Sequence, residues 1–217
     1  MLKNLNLKYF IYMLLVVSFL IWFAFAFIRG VDQIELIRLI QILPHVAFVD
    51  MILVGLFIKW GWKSKYFKGW LVPFPDLNGT WQGIIQTNWK NPETNETPGP
   101  IPAILTIKQT FTYISCVMRT AEMTSYSFAE EFKLDKGRQI KQLVYTYSSK
   151  PLLSVADRST QHDGSITFDI IGNPVEKLKG QYWTARETTG EITLTFREEN
   201  LLEEIPEDLG KHPLSEN

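Results

Sequence analysis

Two long apolar runs occupy the first sixty residues, and they limit what the rest of the chain can become. Residues 9–28, YFIYMLLVVSFLIWFAFAFI, hold no charge. Twenty such residues in a helix rising ~1.5 Å each match the ~30 Å hydrocarbon core of a bilayer. A cleaved signal peptide has similar flanks, with Lys3 and Lys8 ahead of the run and Ala24-Phe25-Ala26 near its end. Signal h-regions extend over only ~7–15 residues, however, so a retained span is the expectation. Residues 39–58, LIQILPHVAFVDMILVGLFI, form a second run of the same length that contains Pro44, His45 and Asp50. Nothing in the neighbouring sequence offers to bury that helix from both sides, and the two runs read as a membrane hairpin.

A carboxylate at the centre of a span costs ~2.5–3.5 kcal/mol on insertion scales. Asp50 is therefore expected to avoid lipid, either hydrogen-bonded within its own hairpin or placed between subunits of a homo-oligomer, with Pro44 offering a kink nearby. Lysines and arginines beside the spans set orientation. Lys3 and Lys8 precede the first span, Arg29 and Arg38 in the link are offset by Asp32 and Glu35, and Lys59, Lys63, Lys65 and Lys68 follow the second. That bias places both termini, and all that follows Lys59, in the cytoplasm. Trp60, Trp62, Tyr66 and Trp70 interleave with those lysines as an interfacial belt against membrane lipid; a basic, aromatic nucleic-acid patch is the competing reading.

Beyond Asn78 the hydrophobic pattern becomes alternating. Runs rich in Thr, Tyr, Ile, Val and Phe at 79–88, 101–109, 111–120, 123–132, 140–149, 164–171, 176–187 and 191–197 are separated by turn signals such as NPETNETPGP, DKGR, HDG, GNP and TTG. Strands without intervening helices predict a membrane-anchored all-β chain: two N-terminal transmembrane helices, then an eight-stranded antiparallel up-and-down, lipocalin-like barrel. Closure leaves no sheet edge exposed, and an open sandwich is the alternative. The expected domains are 1–70 for the membrane region and its Lys/Trp link, 76–198 for the ligand-sensing barrel and 199–217 for an acidic tail.

Eight strands enclose room for packed side chains or one small ligand. Alternation turns Trp81, Ile85 and Thr87 of the first strand inward, with Leu143, Tyr145 and Tyr147 of the fifth and Tyr182, Thr184 and Arg186 of the seventh. The third strand offers two inner sets, Tyr113, Ser115, Val117 and Arg119, or Ile114, Cys116 and Met118. A lumen of tyrosines, threonines and arginine is unlike the Val, Ile and Leu of a filled barrel. A buried guanidinium needs an anion, either a carboxylate such as Glu122, Glu130 or Asp169, or an anionic ligand held by stacking rings and hydroxyls. The candidate ligand-binding set is Trp81, Thr87, Arg119, Tyr145, Tyr147, Tyr182, Thr184 and Arg186.

Several classes fall away. A net charge of −1 provides no basic face for a nucleic-acid polymer. Cys116 is the single cysteine, which excludes an intrachain disulfide, and His45, His162 and His212 lie too far apart in sequence to suggest a metal site. There is no glycine-rich phosphate loop and no Gly-x-Ser-x-Gly elbow, so catalysis is not expected and no cofactor is implied. Asp157, Asp163 and Asp169 read as turn and strand-exit residues. The tail REENLLEEIPEDLGKHPLSEN, rich in carboxylates, reads as a short helix or a disordered segment in solvent.

Two apolar spans, then DLNGTWQG, then a barrel ending in LKGQYWTARETTGEITLTF, an order that covers essentially the whole chain, together resemble the two-transmembrane, β-barrel effectors of bacterial CBASS antiphage defence. The resemblance implies a bacterial inner-membrane protein whose barrel binds a cyclic di- or oligonucleotide, made by a nucleotidyltransferase encoded nearby. It further implies oligomerisation on binding, and spans that then disrupt the membrane and kill the infected cell. A membrane-tethered carrier of a lipid or fatty acid remains the alternative from a different class; it calls for a mostly apolar lumen.

Overall fold

The computed structural model describes residues 5–28, 36–91 and 94–214. They fall into two compact units, one built from residues up to Pro75 together with Thr110–Thr112, the other from Asp76–Gln109 and from Tyr113 onward.

In the first unit, α1 (Leu7–Ile28) and α2 (Leu36–Lys59) are helices of 22 and 24 residues, both long and apolar enough to cross a membrane. Phe10 packs 5.8 Å from Phe57, and Phe25 lies 6.0 Å from His45, so the helices run antiparallel. Pro44 sits inside α2. The Ser18 hydroxyl lies 2.7 Å from Asp50 Oδ2 and 2.8 Å from the Leu14 carbonyl. Asp50 Oδ1 is enclosed without a partner among the described residues. Lys3 and the link residues Arg29, Asp32 and Glu35, which carried part of the orientation argument, lie outside the described residues.

Beyond α2 the belt expected from the sequence divides. Trp60, Tyr66 and Trp70 are exposed, and Lys59 Nζ lies 4.3 Å over the Trp60 ring. Trp62 instead is buried, 5.9 Å from Phe74 and 6.4 Å from Phe111. Burying an indole among aromatic rings stabilises by a few kcal/mol, and that takes Trp62 out of the belt.

The second unit is the expected closed barrel. Its strands are β1 (Gly79–Thr87), β2 (Ile101–Gln109), β3 (Ile114–Thr120), β4 (Met123–Asp135), β5 (Ile140–Pro151), β6 (His162–Ile171), β7 (Lys177–Thr184) and β8 (Thr189–Glu198). Each pairs antiparallel with its sequence neighbour, and β8 closes on β1. The register settles the strand whose facing the sequence left open. Leu105, which shares the inner face with Trp81, pairs with Met118, and Ile107 with Cys116. Ile114, Cys116 and Met118 therefore point inward. Arg119 points outward, contrary to its candidate role in the lumen, and donates to Thr106 Oγ1 at 3.0 Å and the Leu202 carbonyl at 3.4 Å.

The tail is the second correction. Thr80 Oγ1 donates to the Asn200 carbonyl at 2.5 Å and accepts from Leu202 N at 3.0 Å. The Arg197 guanidinium grips the Asp208 carboxylate through two bonds of 3.0 and 3.1 Å. His212 at its far end is buried. Backbone groups of an acidic segment that find barrel donors and acceptors dock rather than float, so the expected solvent-borne tail is a strap on the barrel wall.

Candidate functional site

The lumen is divided along its axis. At one end, where β1 begins, Trp81, Leu105, Ile107, Cys116, Phe132, Leu143, Phe168, Leu178 and Leu194 are all at most 2% exposed. At the other end, where β1 finishes, lies a cavity of about 150 Å³. Its lining includes Thr87, Tyr147, His162, Tyr182, Thr184 and Arg186.

Glycine makes the aromatic walls possible. Tyr147 lies opposite Gly164 across the β5–β6 pair, and Tyr182 opposite Gly190 across β7–β8. A Cβ at Gly164 would stand 2.5 Å from the Tyr147 hydroxyl oxygen, and one at Gly190 would collide with the Tyr182 ring. Each ring therefore lies over a bare stretch of the adjoining strand. Burial raises both phenols, with the Arg186 charge partly opposing; a hydrogen bond with Thr87 also lowers Tyr182. Both rings stay neutral at physiological pH and line the cavity.

Arg186 follows β7 in the tight turn to β8. That turn is built on the Thr184 hydroxyl, 2.7 Å from Thr188 Oγ1 and accepting from the backbone nitrogens of Arg186 and Thr188 at 3.2 and 3.3 Å. The guanidinium donates from Nη1 to Ser159 Oγ at 3.2 Å and the Thr160 carbonyl at 3.3 Å. His162 Nδ1 lies 2.9 Å from the same carbonyl, which can only accept. The ring therefore donates there and presents Nε2 as acceptor to Arg186 Nη2 at 3.5 Å. Burial lowers His162, the Thr160 contact opposes it and the Arg186 charge adds to it. Burial likewise lowers Arg186, with Tyr147 and Tyr182 opposing.

What Arg186 lacks bears on the choice the sequence left open. Among the described residues no carboxylate pairs with it, and its Nε is buried without a partner. The three carboxylates weighed as internal partners are engaged elsewhere: Glu122 with Arg158 and His212, Glu130 with Ser127, and Asp169 with Gln142 at 2.8 Å. A partly desolvated guanidinium with an unused donor, beside neutral hydroxyls and rings, has the chemistry to accept an anion.

Of the sequence candidates, Thr87, Tyr147, Tyr182, Thr184 and Arg186 come together around the cavity. Trp81 and Tyr145 point inward but sit beneath it. Trp81 donates to the Leu77 carbonyl at 2.9 Å and packs 5.2 Å from Phe196, while the Tyr145 ring stands 6.2 Å from both Tyr147 and Phe168. Sequence reasoning missed His162, Arg158 and Ser159, which come from the start of β6 and the loop before it, and Glu122, His212 and Leu214. For His162 the signal existed: HDG, taken as a turn, begins β6, whose alternation from Ile166 back through Gly164 reaches the ring.

A family model described as the cyclic dinucleotide receptor domain of Cap15 matches residues 72–196, more than half of the chain. The chain therefore belongs to that family, which bears out the resemblance to CBASS effectors. The CD-NTase-associated protein 15 of Staphylococcus schleiferi is 25% identical over 155 residues, which are 71% of this chain and 79% of that protein.

Proposed function

We propose that this member of the Cap15 receptor family binds a cyclic dinucleotide at the hollow end of its barrel and answers by self-association and breach of the bacterial inner membrane. Arg186 takes a ligand phosphate through Nε and an Nη, Tyr147 and Tyr182 flank a base, and the hydroxyls of Thr87 and Thr184 meet polar edges. The observation that carries this reading is the half-buried, carboxylate-free Arg186 with its unpartnered Nε. The ligand comes from a nucleotidyltransferase encoded nearby, as the name of the Staphylococcus relative suggests for that protein. Lys59, Lys63, Lys65 and Lys68 favour a cytoplasmic barrel beside an inner-membrane hairpin.

The output step follows from linkage. A ligand drives assembly only when it binds the assembled state more tightly than the monomer. Asp50, with one oxygen on Ser18 and the other unpartnered among the described residues, supplies the polar group that several hairpins gather into a water-admitting seam, with Pro44 bending the helix that carries it.

The test is ligand-dependent stabilisation of the full chain in detergent micelles. A cyclic dinucleotide at a hundredfold excess over its Kd contributes ~2.7 kcal/mol and raises the melting temperature, and Arg186→Gln cuts the rise by about half or more at the same ligand concentration. Stabilisation by a fatty acid, with none from any cyclic nucleotide, establishes the carrier reading instead. In cells making the signal, the full chain collapses the membrane potential and Asp50→Leu weakens that effect; unchanged killing by Asp50→Leu removes Asp50 from the mechanism.

A further inference from the structure

The hollow end holds a second arginine, and it is occupied. Arg158, in the loop before β6, lines the cavity and forms a short ion pair with Glu122 of the β3–β4 turn. The two loops are also stitched together by Leu152 N donating to the Glu122 carbonyl at 2.9 Å. Arg186 donates to Ser159, the residue next to Arg158, so the two guanidinium-bearing residues stand side by side on one rim. Glu122 is the odd member, a carboxylate lining a cavity whose other charged groups are cationic.

The strap meets this group. His212 Nδ1 lies 3.2 Å from Glu122 Oε1 and also 3.2 Å from Leu214 N. The nitrogen can accept from the Leu214 amide or, when protonated, donate to Glu122, but not both, so these two contacts of the strap's end exclude each other. His212 and Leu214 themselves line the cavity. At about 150 Å³, the space they leave is below the ~300–1,000 Å³ of ordinary small-molecule pockets.

We propose that Arg158 is a second anion position of the site, closed by Glu122 and by the strap end His212–Leu214, so that a ligand with two phosphates opens the strap and a ligand with one does not. This rests on the cyclic dinucleotide reading above. One phosphodiester takes Arg186, which lines the cavity and keeps an unused Nε. The other replaces the Glu122 carboxylate on Arg158, which needs no new charge and removes the anion most opposed to the ligand. Released from Arg158, Glu122 takes a proton-bearing His212 Nδ1, Leu214 N loses its acceptor, and the strap end leaves the cavity it had narrowed. Discrimination then lies in the number of phosphates as well as in the bases.

The experiment uses the full chain in micelles, with titration calorimetry for affinity and hydrogen exchange for the strap amides. Cyclic di-GMP and cyclic GMP-AMP are the two-phosphate probes and cyclic GMP is the one-phosphate probe. The expected result is faster exchange at Leu209–Leu214 when the cyclic dinucleotide that binds is added, and no change with cyclic GMP. Arg158→Ala weakens dinucleotide binding by about tenfold, the loss of one charge-assisted contact. Glu122→Gln tightens binding, and the double variant Arg158→Ala/Glu122→Ala, which leaves no carboxylate stranded, binds about tenfold more weakly than Glu122→Ala alone. Equal affinity of Glu122→Ala and the double variant, or slower strap exchange with bound dinucleotide, overturns the second position while leaving Arg186 as the anchor. Absence of any cyclic dinucleotide binding by the unmodified chain overturns the underlying reading as well.

Discussion

The two ends of the barrel are made by the same eight strands and behave as different materials. At the closed end Phe132, Leu143, Phe168, Leu178 and Leu194 are wholly or almost wholly buried and meet like an organic crystal. At the open end the same strands contribute Thr87, Tyr147, Thr184 and His162 around space. In this closed barrel every strand is hydrogen-bonded on both sides, and the packed layer fills one end. The rest of the lumen is then free to be polar. Stability and recognition are thus separated along one axis, and substitutions at the two ends should fail in different ways.

The widest contrast comes from truncating large side chains. Phe132→Ala at the closed end should cost ~3–5 kcal/mol, enough to unfold much of a marginal domain in thermal melts. Gly164→Ala should come next, because the new Cβ strikes both Tyr147 and the Trp183 carbonyl; overpacking of this kind costs ~1–3 kcal/mol and should also remove ligand-induced stabilisation. Arg186→Gln sharpens the comparison from the other side. It should lower the apo melting temperature much less than Phe132→Ala does, since no ion pair is lost and only hydrogen bonds to Ser159, Thr160 and His162 are weakened, yet weaken cyclic dinucleotide binding by ~10–100-fold, as expected for a charged hydrogen bond worth ~1.5–3 kcal/mol. Equal stability losses at Phe132 and Arg186 would erase the distinction between the two ends.

Acid provides the smallest effect. His162 and His212 both line the open end, and burial lowers both from the ordinary value of 6.5. Glu122 opposes the shift at His212 and Arg158 adds to it; Thr160 and Asp163 oppose it at His162 and Arg186 adds to it. A histidine held neutral in the fold contributes stability that is fully present above the unfolded value. As pH falls below about 6.5 the unfolded chain takes up protons first, and that stability declines. Melts from pH 7.5 to 5 should show a decline that His162→Gln and His212→Gln each reduce. A pH-independent melt in the unmodified chain would contradict it.

Much of this was legible in the sequence, for identifiable reasons. Alternation is a local property, and it placed Tyr147, Tyr182, Thr184 and Thr87 on the inner face. It contains no coordinate along the barrel axis, so Trp81 and Tyr145 were grouped with the cavity although both lie beneath it. On β3 both faces mix polar and apolar residues, and only pairing with Leu105 and Ile107 determines that Met118 and Cys116 go in and Arg119 out. The strap was illegible because its anchors are remote: Thr80 meets Asn200 and Leu202 across some 120 positions, and Glu122 meets His212 across 90. Composition reported only that the tail is acidic. The two long apolar helices were the opposite case, since a twenty-residue apolar run shows its length and composition directly in the sequence.

Where the ligand sits is the central claim, and photo-crosslinking measures it most directly. An azido-substituted cyclic dinucleotide, irradiated with the full chain in micelles and mapped by peptide mass spectrometry, should label peptides containing Tyr147, Ser159 or Tyr182, with labelling suppressed by excess unmodified ligand and by Arg186→Gln. Competable labelling confined to the outer wall around Arg119, or to the α2 hairpin, would show that the hollow end of the barrel is not the receptor site.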